Sequence, residues 1–390
     1  MKLLYVTGGF PRVTETFVLN EVLGQLERGH DVRVVSLRGG DPGGVPEAEP
    51  LAARVIDIGP VPFPRRWPGR GTASVPDGRL SRRLFAMAAA GATVGRLEGF
   101  LPDVVHAHFL NLPTLVGGAV ARVLGVPHTF TGHADDFMVD LPDDVLRRRV
   151  LHADAGFVVS EAGRRDVVRR AQLDAGEAGR LTVVRAVARA RVPPRGAEPP
   201  DPLTVVTVAR LVPIKGVDAS LRAFARVRER HPDARYWIVG DGPERPALEA
   251  LVRALGLSAA VTFHGRLGNT ATQELIARAH IAVLACRFDD RGAADGVPVF
   301  LMEAGALGLP VVSTGVTGVP ELVHHGSGGL VVPAGDDGAL AAALLRLAAD
   351  RSLRTRLGEG LRATVSGEFS PDRQLDRMHA VWHGLLSSRR

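Results

Sequence analysis

The chain has 390 residues, 45% of them hydrophobic, and carries 48 Lys and Arg against 42 Asp and Glu for a formal charge of +6. That length exceeds one ordinary core, so two domains are expected. One cysteine excludes internal disulfides and multi-cysteine zinc sites, and 5% aromatics among scattered arginines argue against a nucleic-acid partner.

The opening "MKLLYVTGGFP" is shorter than the apolar region of a signal peptide and reads as a buried first strand, Leu3 to Thr7. No apolar run is long enough to span a bilayer. A cytoplasmic protein is expected, with some attraction of its basic patches to the inner face of a membrane. After Gly8 and Gly9 a helix is predicted from about Glu15 to Arg28, ended by Gly29. A strand follows at 31 to 37. Short β-branched runs recur at Val104-Val105, His128 to Thr131, Gly156 to Ser160 and Thr182 to Val184. Helix-compatible stretches separate most of them, which implies βαβ units and a largely parallel sheet.

Residues 38 to 80 break this rhythm with Pro and Gly. The stretch 60–85 is rich in arginine (Arg65, Arg66, Arg70, Arg79, Arg82, Arg83), with Trp67 and Phe85 nearby. It reads either as a solvated insertion or as a patch facing an acceptor or a membrane. "RVPPRGAEPPDP", 191–202, is the best linker, because its prolines cannot continue a helix or a central strand. The pattern then restarts with a strand at Leu203 to Val208 and a helix at Val217 to Arg230. On that helix Leu221, Phe224 and Ala225 share one face, and Arg222, Arg226 and Arg230 another. The strands "ARYWIVG", "VTFHG", "IAVLAC", "PVVST" and "GGLVVP" follow. The expected division is a first α/β domain at 1–190, a linker at 191–202 and a second α/β domain at 203–368. Residues 369–390 are expected as a helix returning to the first domain.

Several chemistries fail on spacing. "VGDGPERP" has Arg245 where a dinucleotide fingerprint needs its third glycine, and Walker A, H-E-x-x-H and G-x-S-x-G are absent. One composition feature stands out. Only Lys2 and Lys215 are lysines among the 48 basic residues. Lys215 follows Arg210 just past a predicted strand end, where open α/β sheets bind ligands. A solvated turn in this chain would have received arginine, so the pair reads as an anion site of two reaches, suited to a diphosphate. Further on, Pro298 is expected at the first position of a helix that Gly308 ends. Its free N–H groups could take a phosphate. Glu303 sits on this otherwise apolar helix and needs a partner. A ribose diol would serve, and so would a nearby Arg or a capping group.

The segments "VARLVPIKGVD", "IVGDGPERPALEAL", "FHGRL" and "DGVPVFLMEAGALGLPVVSTGVTGVPELV" together resemble the C-terminal domain of retaining GT-B glycosyltransferases of the family 4 type. "FPRVTETFVLNE", "HAHFLN" and "FTGHADDF" resemble the N-terminal domain of the exopolysaccharide and colanic-acid branch. The match spans nearly the whole chain. It implies an α/β, GT-B fold of two Rossmann-like domains facing a central cleft.

The resemblance also implies roles. Arg210 and Lys215 would hold the donor diphosphate, and Glu303 the ribose. Asp295 stands where the family has the first Glu of its E-x7-E motif, next to the transferred sugar. Gly296, Val297, Val299, Phe300 and Leu301 would lie near the phosphates, and Gly265, Arg266 and Leu267 would frame the base. His133 matches the histidine beside the donor sugar. Gly9, Glu15 and Thr16 match the first loop, with Glu15, Thr16, His108 and Asp135 in the acceptor or sugar vicinity and Gly9 toward the donor. For His106 and His108 structural and functional readings stay even. Asp135-Asp136 and Asp289-Asp290 could pass for metal motifs. The resemblance implies that cations and helix ends balance the phosphates instead, so neither a metal nor a cofactor is expected. The family's Gly-Val-Asp-like segment before the linker is replaced by Ala186, Val187 and Ala188.

The activity implied is a retaining transfer of a sugar from a nucleoside diphosphate sugar, with UDP favoured, to an acceptor hydroxyl. The acceptor would be a sugar, a lipid-linked intermediate or a small molecule. A nucleotide-sugar epimerase or hydrolase of the same fold, and a non-catalytic nucleotide-sugar-binding protein, are the alternatives.

Overall fold

The β-branched runs fold as parallel strands buried on both faces, which is why they read as continuous apolar stretches rather than alternating ones. The structure, a computed structural model, describes residues 1–41, 45–59, 80–134, 141–196 and 198–389. Arg65, Arg66, Trp67, Arg70, Arg79, Asp135 and Asp136 lie outside them. The chain divides into two units, Met1–Val187 with Pro371–Arg390, and Ala188–Ser370.

In the first unit the strands are β1 (Lys2–Thr7), β2 (Asp31–Ser36), β3 (Val55–Asp57), β4 (Val104–His108), β5 (His128–Gly132), β6 (Ala155–Val158) and β7 (Leu181–Val183). They form one parallel sheet in the order β3-β2-β1-β4-β5-β6-β7. Its longer helices are α1 (Thr16–Glu27), α2 (Leu80–Gly95), α3 (Leu112–Leu124), α4 (Asp143–His152) and α5 (Glu161–Arg170), with a short α6 (Ala175–Ala178). The caps follow from sequence. Ser160 accepts the Gly163 N–H at the start of α5, and Asp174 and Glu177 close a reciprocal capping box on α6. Gly29, at φ 78°, stands one residue past the Arg28 that closes α1.

The second unit repeats this plan. It contains β8 (Thr204–Val208), α7 (Val217–Arg230), β9 (Arg235–Val239), α8 (Arg245–Ala254), β10 (Val261–Gly265), α9 (Asn269–Ala277) and β11 (Ile281–Leu284). Then come α10 (Val299–Ala306), β12 (Val311–Thr314), α11 (Val319–Leu322), β13 (Gly329–Val332), α12 (Asp337–Ala349) and α13 (Arg351–Gly367). The sheet order is β10-β9-β8-β11-β12-β13. Both units are therefore Rossmann-like. In each, the strand order reverses beside the first strand, between β1 and β4 and between β8 and β11. Ligands of open α/β sheets bind outside the carboxyl ends of the strands at such a reversal.

The proline-rich segment 191–202 is part of the second unit rather than a loose tether. Its backbone cannot join a ladder, so side chains fix it. The Arg191 N–H donates to Gln273 Oε1 at 2.6 Å, and Arg195 reaches the carbonyls of Gly308 and Ala279. Arg354 grips the Glu198 carboxylate with two nitrogens, at 2.6 and 3.1 Å. The units divide just before it, at Val187, whose carbonyl accepts from the Asn20 side chain.

The last helix, α14 (Pro371–Ser387), belongs to the first unit. Leu375, Met378 and Trp382 recur at helical spacing and are buried in a cluster with Leu3, Tyr5 and Val22. Arg28 pairs with Asp372 and Asp376 on the exposed edge of this contact.

Candidate active site

In the second unit the anion-site residues are brought together by close backbone packing. Lys215 ends a single 3-10 turn, Pro213–Lys215, between β8 and α7. Gly216 follows at φ +58°, and a Cβ there would stand 1.9 Å from the carbonyl oxygen of Ala285, just past β11. Only glycine permits that approach. Gly240 does the same after β9, where a Cβ would meet the Ala209 carbonyl oxygen at 1.9 Å. The ends of β8, β9 and β11 thus converge at the reversal point.

Lys215 Nζ lies 2.5 Å from Asp295 Oδ2, and the two side chains are only 14% and 17% exposed. The resemblance assigned these residues to different parts of the donor. Here they form an ion pair. Cys286 Sγ is 3.6 Å from the same oxygen, and burial, reinforced by Asp295, pushes its thiol well above the usual range. The Thr317 hydroxyl lies within hydrogen-bonding reach of the carbonyls of both Asp295 and Gly296, and its one proton, shared or given to either, holds the loop before α10. Arg210 is exposed at the end of β8.

Pro298 is one position earlier than expected, at the N-cap of α10, so the first helical residue is Val299. Phe300 and Leu301 are core residues, 5% and 0% exposed, so their side chains face the interior. Val297 is likewise buried, while Val299 and Gly296 are half-buried. Glu303 is 7% exposed and accepts one hydrogen bond, from Gln273 Nε2 at 3.2 Å. Burial pushes its carboxyl up to about 7, against opposing effects of Gln273 and Arg191. Gly265 ends β10, and its carbonyl accepts the Gly240 N–H at 2.7 Å. Arg266 is exposed and Leu267 half-buried beside it. The Asp289 carboxylate accepts from the N–H groups of Arg291 and Ala293, which braces that loop.

In the first unit Gly9 lies in the loop after β1, Glu15 closes the short turn before α1, and Thr16 starts that helix. Burial raises the Glu15 carboxyl, with Arg12 and His108 opposing. His106 and His108 end β4, and His133 follows β5. His108 Nδ1 is 3.2 Å from His133 Nε2, and His108 Nε2 is 3.3 Å from Glu21 Oε1. The Tyr5 hydroxyl donates to that same oxygen at 2.9 Å. His106 is fully buried between the hydroxyls of Thr129 and Thr131. Phe17 and Phe109 flank the His133 ring at 4.6 and 4.7 Å between centroids. Phe109 takes φ 77°, a left-handed conformation unusual for an aromatic residue.

Sequence reasoning missed Tyr5, Glu21, Gln273 and Cys286. Glu21 carried one signal, a carboxylate in a helix stretch where Val18, Leu19 and Val22 are buried. Among the described residues, no helix is long and apolar enough to cross a membrane.

Comparison with known proteins decides the family. A model described as Glycosyltransferase Family 4 matches residues 14–186, and one described as Glycosyl transferases group 1 matches 202–350. WcaL of Escherichia coli (strain K12), named "Putative colanic acid biosynthesis glycosyltransferase WcaL", is 30% identical over 385 residues, 91% of this chain and 92% of that protein. The chain belongs to glycosyltransferase family 4. A second relative of this glycosyltransferase, an alpha-D-kanosaminyltransferase of Streptomyces kanamyceticus, is 27% identical over 313 residues, 74% of this chain and 79% of that one. The fold agrees with the GT-B class. Alr3699/HepE of Anabaena, solved with UDP, aligns at TM-score 0.74 and 18% identity over 99% of this chain and all of that one. Sucrose-phosphate synthase of Thermosynechococcus elongatus aligns at 0.75 and 19% over the full length of both.

Proposed function

We propose that this glycosyltransferase takes its sugar from a nucleoside diphosphate donor, with UDP the favoured nucleotide, and transfers it with retention of configuration. The observation that carries the reading is the Lys215–Asp295 pair at the β8–β11 reversal, with Glu303 buried on the helix that follows Asp295. Lys215 and Arg210 would face the diphosphate, and their charge would stabilise it as it leaves, without a dedicated divalent ion. Glu303, already short of hydrogen-bond donors, would accept from the ribose hydroxyls. Structures of the fold relative HepE in complex with UDP and with UDP-glucose support the choice of donor.

The transfer would break the bond between the anomeric carbon and the phosphate oxygen. A bond to the acceptor oxygen would form on the same face. The acceptor proton would pass to the departing diphosphate oxygen, so no separate protein base is required. Asp295 would orient the sugar from its place against Lys215. The acceptor would be a hydroxyl of a saccharide, a lipid-linked intermediate or a small molecule.

A thermal-shift panel in EDTA with UDP, GDP, ADP, dTDP and NAD tests the donor site. A ligand at about a hundredfold its dissociation constant adds about 2.7 kcal/mol. One diphosphate should shift the transition, and the shift should vanish in Lys215→Ala and Glu303→Ala. A shift with NAD alone, or with no diphosphate, would overturn the reading. Product stereochemistry, read by NMR of the anomeric proton, tests retention.

A further inference from the structure

The carboxylate of Glu303 is buried on α10, and a buried carboxylate is costly unless donors face it. The donor it has among the described residues is Gln273, on α9 and fully buried. The orientation of the Gln273 amide follows from its backbone partners. A backbone N–H only donates, so the atom that the Arg191 N–H meets at 2.6 Å is Oε1. A carbonyl only accepts, so the atom that meets the Arg189 carbonyl at 2.8 Å is Nε2. One side chain thus grips the backbone on both sides of Ala190, and the grip fixes where Nε2 stands.

An amide nitrogen has two protons, and Nε2 faces three acceptors. They are the Arg189 carbonyl at 2.8 Å, Asn269 Oδ1 at 3.0 Å and Glu303 Oε1 at 3.2 Å. Two of the three must share. A bond to a charged oxygen is normally the shortest of such a set, yet here the carboxylate has the longest. Glu303 therefore shares its proton with Asn269. The shared proton is enough to aim the carboxylate and too little to satisfy it. Burial raises its carboxyl, and Gln273 and then Arg191 act against that rise.

We propose that Gln273 is a positioning residue for the nucleotide: anchored on the backbone at 189–191, it aims the Glu303 carboxylate at the two hydroxyls of a ribose, and so sets the preference for a ribonucleotide over its 2′-deoxy form. Gln273 acts through Glu303 and need not touch the ligand. The proposal rests on the reading of Glu303 as the ribose carboxylate and adds the residue that sets it. A site built to accept from a hydroxyl rejects the analogue that lacks it, because a buried acceptor is then left unmet.

The test is titration calorimetry of the full-length protein with UDP and with 2′-deoxy-UDP, read as the ratio of the two dissociation constants. The wild type should hold UDP about tenfold or more tightly than 2′-deoxy-UDP. Gln273→Met keeps the length of the side chain and removes its hydrogen bonds. It should cut that ratio by about fivefold or more, by weakening UDP and leaving 2′-deoxy-UDP little changed. Equal weakening of both ligands would show a structural role only and overturn the proposal, as would a wild-type ratio. Should the methionine variant not fold, the wild type itself decides. The chain has four glutamines, so 15N-glutamine labelling gives four side-chain amide signals, and replacing the other three assigns Gln273. Its signal should move with UDP and move less with 2′-deoxy-UDP. An unmoved signal, or equal movement with both, would overturn the proposal. A wild type that binds neither ligand, or both alike, would instead remove Glu303 from the ribose, and the proposal would fall with that reading. A wild type that discriminates while Gln273→Met discriminates as well sinks the proposal alone.

Discussion

Lys215 and Asp295, 80 positions apart in sequence, meet at 2.5 Å at the reversal point of the second sheet. The carboxylate occupies the lysine as a phosphate oxygen would. An incoming diphosphate must share or displace it. Asp295→Asn keeps the shape and removes the competing charge. Titration calorimetry should show UDP binding tightened by about tenfold, or about 1.4 kcal/mol, while sugar transfer slows. Lys215→Ala should abolish UDP binding. Weakened UDP binding in Asp295→Asn would mean that the pair orders the site rather than competing for it.

Glu303 makes stability depend on pH. Its carboxyl moves from 4.5 to about 7 on folding because of burial. The folded state therefore holds more protons than the unfolded state between these values. The stability it contributes is complete below pH 4.5 and is lost as pH rises through 7. The loss should reach about 3 kcal/mol by pH 8. Urea unfolding at pH 5.5 and pH 8 should show this dependence in the wild type and lack it in Glu303→Gln. Ribose hydroxyls donate to the ionised form, so UDP affinity should rise from pH 6 to pH 8. A flat profile would remove Glu303 from the nucleotide site.

Trp382 ties α14 to the first unit. Its side chain is fully buried, and its N–H donates to Thr129 Oγ1. Trp382→Ala should destabilise that unit by about 3–5 kcal/mol, measured by denaturant unfolding. Trp382→Phe should recover most of the packing yet leave Thr129 without its donor. By histidine nitrogen NMR it should disturb the His106 ring, because Thr129 bonds His106 directly.

Much of this fold was legible because local signals agreed with the global one. The helix expected at Val217 to Arg230 has those bounds, since Gly216 fixes its start and its arginine and apolar faces separate cleanly. Most strand ends fall within one or two residues of expectation, as β-branched runs between glycine-rich turns. The site residues on loops were legible by motif, but their pairing was not. Glu21 and His108 are 87 positions apart, and Lys215 and Asp295 are 80. Neither pairing has any periodicity to announce it. Both depend on which strands become neighbours, β1 beside β4 and β8 beside β11. The linker reading falls short for a related reason. Proline content marks what a segment cannot do in a ladder, and says nothing of the Arg354 and Gln273 side chains that hold it.

Gly216 is the backbone hinge on which the Lys215–Asp295 pair depends. Gly216→Ala would put a methyl against the Ala285 carbonyl at 1.9 Å and also force an L-residue to φ +58°. The backbone part alone costs about 1–2 kcal/mol. Gly256 isolates that part, since it has φ +69° and nothing within 4 Å of where a Cβ would stand. Gly256→Ala should therefore cost only the backbone part and leave UDP binding intact. Gly216→Ala should cost more in urea unfolding and also weaken UDP binding, because the turn carrying Lys215 must lift off the end of β11. Equal stability losses in the two variants would mean that the turn adapts without moving the lysine, and that the close approach to Ala285 is not what positions it.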